Sequence, residues 1–131
     1  MFTLPQLKAA HAKVKSGADF PAYVQEIMQM GLQYYEFKVA NGQTTYHGAD
    51  GFNISSDPIY PDKTISTDAS PATVRQIIAD HQQGKSDFMS FCQLVADAGV
   101  VKWVVDARSM LCSYYDLVGN TMVAEPIPQR Y

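Results

Sequence analysis

The sequence predicts an α+β fold, a two-layer sandwich in which about six antiparallel strands carry four helices on one face. The main observation is a duplication: residues 19–54 reappear as residues 87–122 at a constant offset of 68 positions. In each copy, apolar residues at helical spacing are followed by an alternation of period two. Glycines typical of turns separate these segments. We therefore predict an internally duplicated helix-helix-hairpin-strand unit.

The duplication is carried by residues at caps, turns and core positions. Asp19 returns as Asp87, and each is predicted to cap a helix, because an aspartate carboxylate accepts the unpaired N–H groups of a first helical turn. Gly31 returns as Gly99, and both are predicted to end those helices in the left-handed conformation. Further identities include Phe20 with Phe88, Tyr46 with Tyr114, and Gly51 with Gly119.

A shorter helix precedes the duplicated block in each half. The first is predicted over about 4–15, with Thr3 as its N-cap. The second is predicted over about 71–83, since Ser70-Pro71 combines a favoured cap with proline in the first helical position. Glycines are predicted to close both helices: Gly17 and Gly84.

The strands follow, and their pairing defines two faces. Asn41-Gly42 predicts a two-residue hairpin turn, which places Glu36 opposite His47 and Phe37 opposite Tyr46. The face covered by helices, here the inner face, then contains Tyr35, Phe37, Val39, Thr44 and Tyr46, and by the offset Trp103, Val105, Ala107, Cys112 and Tyr114. The outer face contains Tyr34, Glu36, Lys38, Thr45 and His47, and by the offset Lys102, Val104, Asp106, Ser113 and Tyr115.

Length and composition predict one domain over 1–131, with repeat 1 at about 4–54, a connector at about 55–69 and repeat 2 at about 70–125. The two cysteines lack metal-ligand spacing, which favours a reducing compartment, and we predict a cytoplasmic protein without a membrane span. The net charge is −3 and the basic residues are dispersed, so nucleic acid is not expected as a partner.

The sequence also resembles a family of small bacterial and prophage-borne proteins of unknown function, some of which carry the label "phage envelope protein". The resemblance spans essentially the whole chain. It is carried by His81-Gln82-Gln83-Gly84-Lys85-Ser86-Asp87-Phe88, Lys102-Trp103-Val104-Val105-Asp106, Tyr114-Tyr115-Asp116 and Tyr34-Tyr35-Glu36-Phe37. It implies a small α+β fold and brings no catalytic or ligand residues with it.

Few residues indicate chemistry. Cys92 could be a nucleophile, but it lies on the apolar side of its helix and its repeat equivalent is Val24, which favours a buried core residue. Glu36 and His47 could form a proton-transfer pair or a plain cross-strand ion pair. The three histidines are dispersed and the glycines form no nucleotide-binding motif, so neither a metal nor another cofactor is predicted.

The outer face is the best candidate for function, because four helices on the other side leave it uncovered. It delivers aromatic and ionisable side chains that partner surfaces use, and the candidate binding residues are Tyr34, Glu36, His47, Lys102, Asp106 and Tyr115. We predict a non-enzymatic interaction module for a protein partner or a second copy. A small-ligand-binding protein, or an enzyme with an acid-base site near Glu36, His47 and Asp106, is the alternative, and a plain solvated sheet face is the simplest interpretation.

Overall fold

The computed structural model describes residues 2–14 and 19–127, and in each half two helices precede three strands. The first half contains α1 (Leu4–His11), α2 (Phe20–Gln29), β1 (Leu32–Lys38), β2 (Gln43–Gly48) and β3 (Asn53–Ser55). The second half contains α3 (Pro71–Gln82), α4 (Phe88–Asp97), β4 (Lys102–Asp106), β5 (Leu111–Tyr115) and β6 (Thr121–Pro126). Both ends of α4 follow those of α2 by the predicted offset, which confirms the repeated unit.

The six strands form one open antiparallel sheet in the order β3-β2-β1-β4-β5-β6. Strands β1 and β4 pair at its centre, where Glu36 lies opposite Val104. These two residues are also equivalent under the repeat, so an approximate two-fold axis passes between them and relates the two halves. The predicted α+β fold is confirmed.

The core lies between the helices and the inner face of the sheet. Phe37 stacks on Trp103 with ring centroids 4.2 Å apart, and Phe91 of α4 meets the edge of the same indole at 5.5 Å. The predicted inner-face residues are buried, apart from Tyr46, which is half-buried. Burying each large apolar side chain contributes about 1.5–3 kcal/mol to folding stability, and this burial stabilises the packing of the helices on the inner face. No helix among the described residues has the length and apolar character needed to cross a membrane.

Three of the four helices begin at a residue whose side chain caps them, as predicted. The Thr3 hydroxyl accepts the Gln6 N–H in a full capping box, and Ser70 caps α3. The Asp87 carboxylate accepts the Ser90 N–H at 2.7 Å, as predicted. Asp19 occupies the equivalent N-cap position, but its side chain makes no capping hydrogen bond, and that prediction is wrong.

The reason is backbone geometry. Asp19 has helical angles, φ −86° and ψ −11°, from which a side chain does not turn back over the first N–H groups, whereas Asp87 is extended. Pro21 also removes one of the N–H donors that such a cap would satisfy. At the helix ends, Gly31 and Gly99 adopt the predicted positive φ, and Gly84, which was predicted to end its helix, also has a positive φ. The first helix ends earlier than predicted, at His11, and Gly17 lies outside the described residues.

The first hairpin differs from prediction in its register. Its loop spans residues 39–42, so Glu36 lies opposite Thr45 and Phe37 opposite Thr44, two positions away from the predicted pairing. Asn41 does not take the positive φ that a two-residue turn requires; its side chain instead accepts the Gln43 N–H at 3.0 Å. A shift by two residues leaves every side chain on its predicted face.

Candidate functional site on the outer face

Side chains of the outer face form three rows across the strands. Row one contains Gln43, Lys38, Lys102, Tyr115 and Thr121. Row two contains Ser55, Thr45, Glu36, Val104, Ser113 and Ala124. Row three contains Asn53, His47, Tyr34, Asp106, Leu111 and Pro126. All six candidate binding residues from the sequence lie in these rows.

Row three is organised by a layered stack around Tyr34. The Tyr34 ring lies parallel to the His47 imidazole, at 8° and 4.2 Å between centroids. The Arg108 guanidinium lies 5.5 Å from the same ring, reaching it from the β4 side. Because β1 runs between β2 and β4, Tyr34 is held between these two groups.

Arg108 also fixes Asp106. Its Nη2 donates to Oδ2 at 2.8 Å and its Nε donates to Oδ1 at 3.2 Å. These hydrogen bonds hold the pKa of the Asp106 carboxyl below its ordinary value, and the carboxylate in turn raises the pKa of Arg108. The pair is therefore charge-balanced at neutral pH.

Row two contributes a carboxylate that links rows one and three. Glu36 Oε2 lies 3.1 Å from His47 Nε2, and its Oε1 accepts from Lys102 Nζ at 3.2 Å. The Lys102 ammonium lies 5.5 Å from the centre of the Tyr115 ring. The side chains of Glu36 and His47 are 34% and 22% exposed, so solvent screens the pair only in part. One chain of contacts thus runs from Tyr115 on β5 to His47 on β2, and through Tyr34 to Arg108.

Arg108 is the member of this network that the sequence interpretation missed. It lies just past the end of β4, where the alternation of Lys102, Val104 and Asp106 would have placed the next outer-face side chain. Extending that alternation by two residues would have found it. Because a turn was predicted near Ser109, the alternation of outer-face residues was not extended as far as Arg108.

The structure brings together only part of the proposed acid-base site. Glu36 contacts His47, although from a diagonal rather than a directly opposite position. Asp106 does not join them, because Tyr34 lies between it and His47 in row three. Two concavities lie elsewhere, and the larger of them, about 610 Å³, is lined by Phe2, Thr3, Leu4, Phe52, Ile54 and Ser55. A smaller one of about 180 Å³ lies between α1 and α2.

The cysteines and the other histidines have structural surroundings. Cys92 and Cys112 are buried and free, as predicted, and burial raises their thiol pKa values to about 11 and about 12. His11 packs edge-on against Tyr23, and His81 stacks on Phe91 while its Nδ1 lies 3.0 Å from the Ser86 carbonyl oxygen. Over residues 2–14 and 19–127, no group of three His, Cys, Asp or Glu side chains is placed to hold a metal ion.

Comparison with known proteins places the chain among uncharacterised proteins. Over a 59-residue segment it is 37% identical to the "Uncharacterized protein YcgX" of Escherichia coli (strain K12), a match that covers 45% of this chain and 43% of that protein. The chain thus spans less than half the length of this curated relative. Residues 8–126 match the family described as "Protein of unknown function (DUF1398)", and the chain belongs to that family.

Proposed function

We propose that this protein is a binding module whose outer sheet face docks a protein partner or a second copy of itself. The observation that carries the proposal is the side-chain network of the outer face, which joins four strands on the side of the sheet that bears none of the described helices. Two of its members are tyrosines and one is an arginine, and these residue types are enriched at the energetic centres of interfaces. Contacts already formed in the free protein reduce the entropy lost on binding.

The size of the face favours a transient complex. Six strands spaced about 4.8 Å apart, with three rows of side chains, give a footprint on the order of 500 Å². Stable complexes typically bury about 800 Å² on each partner. Docking on this face alone is therefore expected to be weak and reversible.

A small-ligand or acid-base function is the second candidate, and the contact of Glu36 with His47 favours it. A neutral imidazole hydrogen-bonded to a carboxylate is a common general base. Neither concavity described above is lined by these residues, however, and the Glu36 carboxylate is shared with Lys102. These features support docking over catalysis.

Cellular origin belongs to the same proposal. We infer a bacterial or prophage-encoded protein that acts in the cytoplasm. Two free, buried cysteines are typical of proteins kept in a reducing compartment, and a relative in Escherichia coli supports the bacterial origin.

The test is a double variant, Tyr34→Ser with Tyr115→Ser. Both side chains are half-exposed, so we expect thermal stability to change little, while self-association in sedimentation or capture of a defined partner weakens at least about tenfold. The matched control is Met89→Ser with Leu94→Ser, which removes two exposed apolar side chains from the helical side.

The control should retain both association and capture. If the tyrosine variant folds and associates as the unaltered protein does, while the control variant loses binding, function lies on the helical surface and the proposal is wrong.

A further inference from the structure

Two lysines face each other at the centre of row one. Lys38 on β1 and Lys102 on β4 are direct cross-strand partners, which places their Cβ atoms about 4.5–5.5 Å apart on one face. Like charges in directly opposite positions destabilise a sheet. The repeat-equivalent pair in row three, Asp106 with Tyr34, contains no such repulsion. Row one thus carries a feature that the fold does not need.

The neighbouring charges compensate only one of these lysines. Glu36 accepts from Lys102 and also contacts His47, so its carboxylate is already engaged twice. Lys38 is exposed and has no acidic partner in the described part of the chain. The five residues of row one include no carboxylate. A positive charge is therefore left uncompensated on a protein whose net charge is −3.

We propose that Lys38 and Lys102 anchor an acidic segment of a partner protein, whose carboxylates lie across row one beside Tyr115. This rests on the proposed docking function of the outer face and names the chemistry of the partner. An incoming carboxylate would relieve the repulsion between the two ammonium groups. Tyr115, the outer neighbour of Lys102, offers the segment an aromatic contact.

Other anionic partners fit the face less well. Single-stranded nucleic acid needs several open aromatic faces for successive bases to stack on, but Tyr34 is covered by His47 on one side and Arg108 on the other, which leaves Tyr115 as the open tyrosine of the three rows. Arg108 is neutralised by Asp106, which leaves few free cations for a phosphate backbone. A free phosphate or small carboxylate would lack a cavity, since row one lies on an open sheet face.

The decisive variant is Lys38→Glu. It exchanges a repulsive cross-strand pair for an attractive one, so we expect the midpoint of thermal unfolding to rise by about 1–4 °C. Binding of a synthetic glutamate-rich decapeptide, followed by amide shifts in NMR spectra, should weaken at least about fivefold. In the unaltered protein the shifts should centre on Lys38, Lys102 and Tyr115.

The matched control is Lys8→Glu, which makes the same change of charge on α1, away from the sheet. It should give no thermal gain and leave peptide binding unchanged. Equal weakening by both variants would reduce the effect to net charge and overturn the proposal. A Lys38→Glu variant that binds the peptide normally would also overturn it. So would an absence of amide shifts at about 5 mM peptide, because the affinity would then be weaker than millimolar.

Two further outcomes separate this inference from the docking function itself. If the Tyr34 and Tyr115 double variant loses its partner while Lys38→Glu keeps it, the outer face docks a partner without this anchor, and only the present inference fails. Tighter binding of an oligothymidine than of the peptide at equal salt would identify a nucleic acid as the partner of row one instead. A dimer that dissociates in the Lys38→Glu variant, without any change in peptide binding, would identify a second copy of the chain as that partner.

Discussion

The two halves of this protein share the register of their hairpins but not the way their helices begin or their loops are held. Tyr35 lies opposite Tyr46 in the first half, and the equivalent Trp103 lies opposite Tyr114 in the second. A slip by one residue would move a whole strand's apolar side chains to solvent, so packing fixes register in both copies. Helix capping depends on the angles of a single residue and has no such safeguard.

The connector explains why the two hairpin loops are held by different hydrogen bonds. It occurs once, between the repeats, and it packs on the loop at 39–42. The Tyr60 hydroxyl donates to the Val39 carbonyl at 2.6 Å, and the Ile59 N–H donates to the Asn41 carbonyl at 3.0 Å. The second loop is instead bonded by the residue that follows β6, through the Ile127 N–H to the Met110 carbonyl at 2.7 Å. A duplicated chain therefore becomes unequal wherever a single-copy segment contacts only one of the copies.

The largest contrast between the halves is expected from one pair of identical residues, Tyr46 and Tyr114. Both lie on the inner face, but Tyr114 is 7% exposed, packs 5.8 Å from Trp103 and is strongly desolvated, whereas Tyr46 is half-buried. Tyr114→Ala should lower the free energy of unfolding by about 3–5 kcal/mol, and Tyr46→Ala by about half as much. Urea unfolding of both variants measures the difference; equal losses would show that the halves contribute equally to the core.

A second contrast concerns two glycines with positive φ. Gly42 and Gly119 both adopt this conformation, at +74° and +93°, so alanine at either position is strained by about 1–2 kcal/mol. A Cβ at Gly42 would also collide with the connector, at Ile59 and at 2.8 Å from Tyr60 Cε2, whereas a Cβ at Gly119 would meet nothing within 4 Å.

Gly42→Ala should therefore cost about 1–3 kcal/mol more than Gly119→Ala, because overpacking adds to the backbone strain. Chemical denaturation of the two variants gives the comparison. An equal cost would mean that the connector moves aside without loss, and that its contact with the first loop does not contribute to stability.

The fold could be predicted from sequence because its signals are repeated and redundant. Helical periodicity, paired glycines and alternation gave the elements, and the apolar pattern assigned each side chain to its face even where the hairpin register was wrong. The misplaced pairing of Glu36 had a nonlocal cause. Asn41-Gly42 favours a tight turn by itself, but the same register and loop length recur in the second hairpin, so packing of the strands decides the pairing, and no dipeptide pattern reports that packing.

The candidate site was predicted as a set of residues but not as a network. Alternation placed all six candidate side chains on the outer face, yet their partners depend on rotamers and on strand order. Nothing local to β1 or β4 shows that they pair, so the opposition of Lys38 and Lys102 and the separation of Asp106 from His47 could not be anticipated. Arg108 was missed because it follows the strand end rather than lying within it.

The smallest effect distinguishes the two helix starts, through Asp87 and Asp19. The hydrogen bond from the Ser90 N–H holds the pKa of the Asp87 carboxyl below its ordinary 3.8. A carboxyl whose pKa is lowered by folding stabilises the folded state above its unfolded pKa, and this contribution is lost as pH falls through the folded value. At pH 7 the cap contributes in full, so Asp87→Ala should lower the thermal midpoint by about 2–5 °C.

That difference between Asp87→Ala and the unaltered protein should shrink as the pH is lowered from about 4 to about 2. Asp19→Ala removes no capping hydrogen bond, so the loss that comes from a cap should be absent from its cost at neutral pH. Thermal scans of both variants at pH 7 and at about pH 2 provide the measurement. Asp87 and Asp19 are repeat equivalents at the same helix position. A larger loss of stability from Asp19→Ala would therefore show that the two helix starts are stabilised in the reverse order. Backbone angles at the N-cap would then not decide which aspartate stabilises its helix.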